Sequence, residues 1–198
     1  MALPGQAVFP LSQHIGAPAV ACVAKGDMVK VGTKIADAGG FVSAAIFSSV
    51  SGKVAKIDSI IDASGYRKPA IFIDVDGDEW EESIDRSETL VKEFSFTPKE
   101  IVEKIKNAGV VGMGGAGFPT HVKLSPKEPE KIDYVIANCA ECEPYLTSDY
   151  RRMLEEPQKL IDGLKIILRL FDNAQGILAV EDNKKDCIEL LEKLTKNE

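Results

Sequence analysis

The 198-residue sequence contains no apolar run near the roughly 18–20 residues that a membrane-spanning helix needs, and its first residues lack the basic and then apolar order of a signal peptide. It also lacks an excess of basic residues: 31 acidic side chains outnumber 24 basic ones, and the formal net charge is −7. That balance disfavours binding to the phosphate backbone of nucleic acids. We therefore expect a cytoplasmic protein with no membrane span and no nucleic-acid partner.

Cysteine and histidine are also scarce, with four and two copies. The cysteines, at positions 22, 139, 142 and 187, are too few and too scattered for the disulfide framework of a secreted domain. Cys139 and Cys142 form a Cys-x-x-Cys pair, but a four-cysteine zinc site would need a second such pair. His14 has no further ligand-type residue near it at metal-binding spacing, so we expect a structural role for it. No metal site is predicted.

A glycine-rich stretch is present instead, and we call it the glycine loop (residues 112–120). Its sequence is Gly112-Met113-Gly114-Gly115-Ala116-Gly117-Phe118-Pro119-Thr120. Glycine has no Cβ and admits positive φ, so N–H groups that turn inward here can form a concavity for anionic oxygens. The spacing matches neither the Gly-x-Gly-x-x-Gly nor the Walker pattern, which leaves a flexible or tight connector as the alternative. The stretch favours a phosphate-bearing cofactor as its ligand.

The flanks of the glycine loop predict an α/β unit. Thr97-Pro98-Lys99-Glu100 has the pattern of a helix start, and Gly109 follows as a stop signal. The apolar, β-branched run 132–138 predicts a mostly buried strand, which leads into Cys139-Ala140-Glu141-Cys142-Glu143-Pro144-Tyr145, the acidic turn (residues 139–145). Ligands of open α/β sheets bind beyond the carboxyl ends of the strands, so we expect the loop and the turn to line one crevice.

The remainder of the chain continues this α/β pattern. A helix is predicted from Pro157, a second buried strand at Gly176 to Val180, and a last helix at Asn183 to Thr195. Strand, helix, strand and helix with short links predict a parallel pair of strands. We assign residues 97–198 to this incomplete α/β domain.

The first part of the chain has a different pattern, because from Pro10 to about Val75 short strands alternate with turns. The glycines at 26 and 32 and the later segment 50–54 resemble the barrel-sandwich hybrid fold of biotinyl and lipoyl carriers. The hairpin tip that would carry the modified lysine falls at residues 38–42 and contains none, so no covalently attached arm is expected. We assign residues 1–76 to this β domain and the acidic segment 77–96, around Trp80, to a solvated linker.

At the glycine loop and the acidic turn the sequence resembles a known family. Gly112 to Thr120 with the following His121-Val122-Lys123-Leu124, and Asn138 with Ala140 to Thr147, are similar to RnfC, the NADH-side subunit of the Rnf ferredoxin:NAD oxidoreductase. The pattern also looks like the flavin subunit of respiratory complex I and like PrdC, an electron-transfer protein linked to proline reductase, which it resembles most. The RnfC family carries a similar opening segment in an unmodified N-terminal module.

The resemblance implies a two-domain α+β protein in which a barrel-sandwich hybrid precedes a Rossmann-like domain for FMN and NADH. It implies that the glycine loop holds the FMN phosphate, that the loop aromatic faces the nicotinamide, and that carboxylates after the strand contact flavin and NADH. The implied cofactor-binding residues are Gly112, Gly114, Gly115, Gly117, Phe118, Lys123, Asn138, Glu141 and Glu143. The iron–sulfur cysteines and a later flavin motif of the family are absent from this sequence, so we expect FMN binding by this chain alone to be weak.

One departure from the family suggests a function for the thiols. RnfC usually has a small residue after the strand asparagine, whereas this chain has Cys139. We predict that Cys139 and Cys142 form a reversible disulfide that carries flavin electrons to a partner, in an Rnf-type complex or in proline reductase. The predicted function is electron transfer from NADH through FMN. The alternative is a docking or scaffold module that has lost full cofactor binding.

Overall fold

The computed structural model describes residues 2–62, 64–87, 89, 91, 94–113 and 115–196. The chain divides into two compact units. The first comprises residues 1–88 and 100–125, and the second comprises residues 89–99 and 126–198. Each unit has its own cluster of buried apolar side chains.

Short antiparallel strands make up most of the first unit, as the alternation of apolar and polar residues predicts. They are β1 (Gln6–Pro10), β2 (Val20–Ala21), β3 (Met28–Val29), β4 (Lys34–Asp37), β5 (Ile46–Phe47), β6 (Gly52–Ile61) and β7 (Arg67–Val75). One sheet has the order β1-β7-β6-β3 and the other the order β2-β4-β5. Neighbouring strands in both sheets are antiparallel.

The core of the first unit joins the two sheets. Ile35 on β4 is fully buried together with Val54 on β6 and with Ile71 and Ile73 on β7. Full burial of an aliphatic side chain of this size contributes about 1.5–3 kcal/mol to folding. The packing of β4 against β6 and β7 is therefore a main source of stability in this unit.

Strand β1 lies before the region in which strands were expected, which began at Pro10. It pairs with β7 over its whole length, from Gln6 opposite Asp74 to Pro10 opposite Ala70. Five residues are too few for a period of two to stand out, and the pairing with β7 connects segments that are far apart in the sequence. The starting point of the β region was therefore predicted too late.

The segment that was predicted to be a solvated linker pairs in part with the β domain. Trp80 forms a parallel β-bridge with Val31. The Val31 N–H donates to the Glu79 carbonyl at 2.8 Å, and the Glu81 N–H donates to the Val31 carbonyl at 3.0 Å. Residues 79–81 are thus held by backbone hydrogen bonds, despite their acidic side chains. Linker positions 88, 90, 92 and 93 lie outside the described residues.

Helix α1 (Pro98–Asn107) begins at the predicted proline and ends just before Gly109, which has a φ of 65°. A short helix α2 (Thr120–Lys123) follows the glycine loop. A Cβ on Gly109 would lie 2.5 Å from the Ala45 carbonyl oxygen, so the chain after α1 packs closely against the β domain. Residues 100–125 belong to the first compact unit, and the domain boundary at residue 97 stays a prediction.

Within the described residues the second unit contains two parallel strands and three helices, and apart from the helix that ends just before Pro157 their order is the one predicted from sequence. These are β8 (Tyr134–Asn138), α3 (Ser148–Glu155), α4 (Pro157–Leu168), β9 (Gln175–Ala179) and α5 (Lys185–Thr195). A short 3-10 turn at Pro129–Lys131 precedes β8. The register of the parallel pair runs from Tyr134 opposite Gln175 to Asn138 opposite Ala179. The chain is therefore mixed α/β.

The prediction that both strands of the second unit are buried is wrong. On β8, Tyr134 and Ile136 are 58% and 59% exposed, whereas Val135 and Ala137 between them are half-buried. Ile177 on β9 is also exposed. Helix α4 contacts both strands. The alternation of exposed and half-buried residues along β8 therefore shows that one face of the strand pair is covered within the unit while the other is open.

None of the helices in the described ranges is long and apolar enough to cross a bilayer. The longest of them, α4, has 12 residues, whereas a membrane-spanning helix needs about 20.

Candidate functional site

The glycine loop is closed at its base by backbone hydrogen bonds in the first unit. The Gly112 N–H donates to the Phe118 carbonyl at 2.9 Å, and the Thr120 N–H donates to the Val110 carbonyl at 3.0 Å. An isolated antiparallel bridge between Val111 and Pro119 completes this base. The loop is therefore anchored on both sides, which disfavours a flexible connector and leaves a tight connector as the alternative.

The tip of the glycine loop carries backbone donors without internal partners. Gly115 and Gly117 have φ values of 58° and 59°, which glycine adopts without strain. The N–H groups of Gly115, Ala116 and Gly117 donate to no acceptor in the part of the chain that the structure describes. Gly114, another predicted cofactor residue, lies outside the described residues. Consecutive donors of this kind can bind an anionic group.

An open cleft of about 480 Å³ lies beside the glycine loop, within the first unit. One wall is formed by the loop and the other by residues 12–15 of the β domain. The Ile15 N–H donates to the Ala116 carbonyl at 3.1 Å. A Cβ on Gly117 would lie 3.0 Å from the Gln13 carbonyl oxygen, so only glycine allows the two walls to approach this closely. Sequence reasoning did not find this second wall, since residues 12–15 and 112–117 are far apart in the chain.

The residues at the end of the glycine loop and just after it differ in exposure. Phe118 is partly buried, and Lys123 on α2 is exposed. His121 between them is only 5% exposed, and its Nδ1 has no hydrogen-bond partner among the described residues. Burial lowers the pKa of His121, and Lys106 lowers it further. We therefore expect the imidazole of His121 to be neutral at neutral pH.

His121 should make the protein less stable as the pH falls below about 6.5. Because the pKa of the folded state is lowered, folding disfavours the protonated ring, and stability is lost as unfolded His121 begins to bind a proton. At pH 5.5, one unit below the usual pKa, this loss is at most about 1.4 kcal/mol. Urea unfolding of the wild type and His121→Gln at pH 7.5 and 5.5 tests this. The wild type should lose more stability than the variant, and equal losses would contradict the prediction.

The acidic turn lies in the second unit, at the carboxyl end of β8. Asn138 is exposed, and its Oδ1 accepts a hydrogen bond from the Ala140 N–H at 3.2 Å. Glu143 is exposed, and no contact of its carboxylate is found among the described residues. The two predicted carboxylates differ sharply in this respect, because Glu141 is only 8% exposed.

The Glu141 carboxylate binds the start of α3. Its Oε1 accepts from the Ser148 hydroxyl and the Asp149 N–H, each at 2.9 Å, and its Oε2 accepts from the Tyr150 N–H at 3.2 Å. These bonds, the Asp149 N–H first, lower the pKa of Glu141. An anionic side chain at a helix N-terminus is also favoured by the helix dipole. Glu141 thus stabilises the helix start, which sequence reasoning had not foreseen.

A second carboxylate joins Glu141 at the end of the neighbouring strand. The Glu181 carboxylate accepts a hydrogen bond from the Glu141 N–H at 3.2 Å and pairs with Lys184 at 2.6 Å. The Lys184 ammonium is also 3.9 Å from Glu141. The pairing with Lys184 lowers the pKa of Glu181 and raises that of Lys184. Glu181 directly follows the predicted strand that ends at Val180, but nothing in the sequence indicated the contribution of Lys184.

The two thiols of the Cys-x-x-Cys pair lie in different environments. Cys139 is 7% exposed and belongs to the apolar cluster with Met153 and Cys187, whereas Cys142 is exposed. Burial raises the pKa of Cys139, and the Asp149 carboxylate raises it further. All four cysteines are free thiols. The reversible disulfide stays a prediction, and it would require the buried sulfur of Cys139 to become accessible.

We expect Cys142 to react with a disulfide reagent at least about tenfold faster than Cys139. The thiolate is the nucleophile, and both burial and a raised pKa reduce the thiolate that a reagent can reach. The reaction with Ellman's reagent at pH 8 should have a fast phase and should leave slow thiols that react only on unfolding. The Cys142→Ser variant should have one thiol fewer in the fast phase. A fast phase that is reduced by Cys139→Ser instead would contradict this prediction.

The predicted site residues thus fall into two sets, because the glycine loop belongs to the first unit and the acidic turn to the second. In the first set the structure brings Gly112, Gly115 and Gly117 to one cleft. In the second it brings Glu141 to Lys184 and leaves Cys142 and Glu143 exposed. Within the described residues no cluster of three or more histidine, cysteine or acidic side chains is suited to hold a metal ion.

Both parts of the chain match models of known protein families. Residues 1–78 match the RnfC barrel sandwich hybrid domain, and residues 105–198 match the Nuo51 FMN-binding domain. The first match agrees with the barrel-sandwich hybrid that the sequence predicted. The second match includes both the glycine loop and the acidic turn.

Curated relatives are similar to nearly the whole chain. A subunit of the proton-translocating ferredoxin:NAD(+) oxidoreductase complex of Clostridium ljungdahlii is 46% identical over 96% of the chain and 41% of its own length. Its counterpart in the Na(+)-translocating complex of Acetobacterium woodii is 42% identical over 98% of the chain and 44% of its own length. A subunit of the ion-translocating oxidoreductase complex of Rhodobacter capsulatus is 39% identical over 96% of the chain and 37% of its own length. The chain spans less than half the length of these relatives.

Proposed function

Since the chain belongs to the RnfC family, we propose that it is part of an electron-transfer subunit that binds FMN, accepts electrons from NADH and passes them to a partner in an Rnf-type complex. The first two relatives named above are subunits of ferredoxin:NAD(+) oxidoreductase complexes. The proposal extends that role to this chain. Association with a membrane would then come through the partner subunits.

The observation that carries this proposal is the set of free donors at the tip of the glycine loop. Gly115, Ala116 and Gly117 present consecutive N–H groups without acceptors among the described residues, next to an open cleft. A phosphate has several anionic oxygens and can accept all three bonds. The residues present therefore fit the phosphate end of FMN, and the exposed Lys123 adds a positive charge to the same unit.

Bound FMN would supply the redox chemistry, because a flavin can accept two electrons as a hydride and release them one at a time. In our proposal the loop N–H groups fix the phosphate, and Phe118 limits how a nicotinamide can approach. Asn138 and Glu143 supply exposed polar groups in the second unit, which we propose to be a Rossmann-like domain. Glu141 would act there indirectly, because its oxygens already bind the start of α3.

The onward path of the electrons is proposed to run directly from the flavin to the partner. A dithiol path would oxidise Cys139 and Cys142 to a disulfide, with two electrons and two protons leaving the thiols. The burial and raised pKa of Cys139 oppose this step within the unit as it stands. We therefore propose the Cys139–Cys142 path as the secondary route, and proline reductase as the less favoured partner.

A docking or scaffold module is the second candidate. The open face of the parallel pair favours it, because Tyr134 and Ile136 expose apolar surface that a partner chain could cover. This candidate predicts that the chain binds its partner without binding flavin. Flavin binding therefore distinguishes the two candidates.

Titration of the purified chain with FMN tests the proposal. We expect saturable binding with a dissociation constant in the micromolar to millimolar range, monitored by the quenching of flavin fluorescence. When NADH is then added under anaerobic conditions, the flavin absorbance should bleach. Binding that is weaker for riboflavin than for FMN would assign the affinity to the phosphate. No saturable binding of FMN up to millimolar concentration would reject the proposal and favour the docking module.

A further inference from the structure

We propose that residues 12–15 of the β domain hold the glycine loop in its phosphate-binding conformation, and that His14 is the positioning residue of this contact. The proposal rests on the function proposed above, because it concerns the same cleft. It gives the barrel-sandwich domain a role in cofactor binding, although its hairpin tip carries no lysine for a covalently attached group.

The first observation is a direct contact between two backbones. The Ile15 N–H donates to the Ala116 carbonyl at 3.1 Å. A Cβ on Gly117 would lie 3.0 Å from the Gln13 carbonyl oxygen and 3.3 Å from the His14 Cα. The peptide group between Ala116 and Gly117, which carries the Gly117 N–H donor, is therefore set against residues 13–15, and its direction depends on where those residues lie.

The second observation is that His14 fixes this segment. The residue is only 9% exposed. The Nε2 lies 3.1 Å from the Ala44 nitrogen and 3.2 Å from the Ala44 carbonyl oxygen, and the Nδ1 lies 3.1 Å from the Ile15 carbonyl oxygen. With the proton on Nδ1, the Nε2 accepts the Ala44 N–H and the Nδ1 donates to the Ile15 carbonyl. One neutral tautomer satisfies both bonds. The ring thus ties Ile15, whose N–H binds the glycine loop, to the buried backbone of Ala44.

The third observation is a polar atom at the cleft without a partner. Ser12 lines the same cleft, and its Oγ is buried and unpaired among the described residues. Buried hydroxyl groups are nearly always hydrogen-bonded, so an unpaired one at a cleft wall indicates a place for a polar ligand or its water. The wall formed by residues 12–15 therefore presents a polar group at the cleft.

Positioning of the loop should change affinity through the fraction of molecules that can bind. The apparent dissociation constant equals the intrinsic constant divided by the fraction of molecules in the binding conformation. If the loss of the His14 hydrogen bonds lowers this fraction to about one tenth, FMN binding is weakened about tenfold. Riboflavin, which lacks the phosphate, should bind with nearly unchanged affinity because its contacts do not involve the loop N–H groups.

The experiment compares the binding of FMN and of riboflavin to the wild-type chain and to three variants. His14→Ala removes both ring bonds and should weaken FMN about tenfold. His14→Gln retains an acceptor for the Ala44 N–H and should recover most of this loss. Val54→Ala removes a fully buried side chain of the same β domain without touching the cleft, so it controls for lower stability and should leave FMN affinity unchanged.

Amide hydrogen exchange of Ile15 supplies a readout that does not depend on flavin. Its N–H should be protected in the wild type and in Val54→Ala, and should exchange faster in His14→Ala. If circular dichroism shows that His14→Ala does not fold, His14→Asn takes its place, because it keeps a donor for the Ile15 carbonyl but cannot reach Ala44.

Unchanged FMN affinity and unchanged Ile15 exchange in His14→Ala would overturn the proposal. Equal weakening of FMN by Val54→Ala would also overturn it, since general destabilisation would then explain the loss. If the wild type binds no FMN while Ile15 is protected through His14, the proposed function fails and the positioning contact is still demonstrated. These outcomes separate failure of the positioning role from failure of flavin binding.

Discussion

Replacement of Gly117 by alanine is expected to weaken FMN binding about 10- to 100-fold and to destabilise the first unit. The residue has a φ of 59°, where an alanine pays about 1–2 kcal/mol. The new Cβ would also lie 3.0 Å from the Gln13 carbonyl oxygen, and crowding of this kind costs about 1–3 kcal/mol. The chain can relieve the backbone strain and the crowding only by moving the glycine loop. Each N–H that no longer points at the phosphate removes a charge-assisted hydrogen bond of about 1.5–3 kcal/mol.

Gly65→Ala is the matched control for this prediction. Gly65 also has a positive φ, of 80°, but a Cβ there would meet nothing within 4 Å, and the residue lies in the turn between β6 and β7. It should therefore show the conformational penalty alone, with FMN affinity unchanged. Isothermal titration with FMN and urea unfolding measure the two effects. If both variants bind FMN equally well, the glycine loop is not the phosphate site.

The elements with strong local signals were predictable from the sequence. Proline at the first turn of α1 and Gly109 after its end located that helix, because their backbone preferences act within a few residues. The order of strand and helix likewise predicted the parallel pairing of β8 and β9. In each case the information is contained in one short segment of sequence.

Features that depend on contacts between distant segments were not predictable. Strand β1 exists because Gln6–Pro10 pairs with β7, and the exposed face of β8 depends on which elements cover it. The wall that residues 12–15 form against the glycine loop is another example, since its two partners are far apart in the chain. Sequence identified glycines that permit close approach but not the backbone that would approach them.

The acidic turn shows the same limit at the level of chemistry. The sequence presents Glu141 and Glu143 as two similar carboxylates beside a pair of thiols. In the structure only Glu141 turns inward to accept hydrogen bonds from the start of α3, and only Cys139 enters the apolar cluster. A spacing of two residues says nothing about which member of each pair is buried, because that depends on the position of α3 and α5.

Replacement of Glu141 by alanine is expected to lower the melting temperature by about 5 °C or more at pH 7, because three donors at the start of α3 lose their acceptor in a buried site. Glu143→Ala is the control, since that carboxylate is exposed, and it should change the melting temperature by no more than about 1 °C. Differential scanning fluorimetry of the two variants and the wild type provides the measurement. Equal effects would show that Glu141 does not stabilise the helix.

The difference between wild type and Glu141→Gln should shrink in acid. Hydrogen bonds to the ionised carboxylate, the Asp149 N–H first, lower the pKa of Glu141 below its usual 4.5. Its contribution to stability is therefore fully present above pH 4.5 and is lost as the pH falls through the lowered pKa of the folded state. The Glu141→Gln variant has no charge to lose at this position. The amount by which its melting temperature lies below that of the wild type should therefore be largest near pH 7 and smallest near pH 3. A deficit that is constant over this range would mean that the charge of Glu141 contributes nothing to the stability of the second unit.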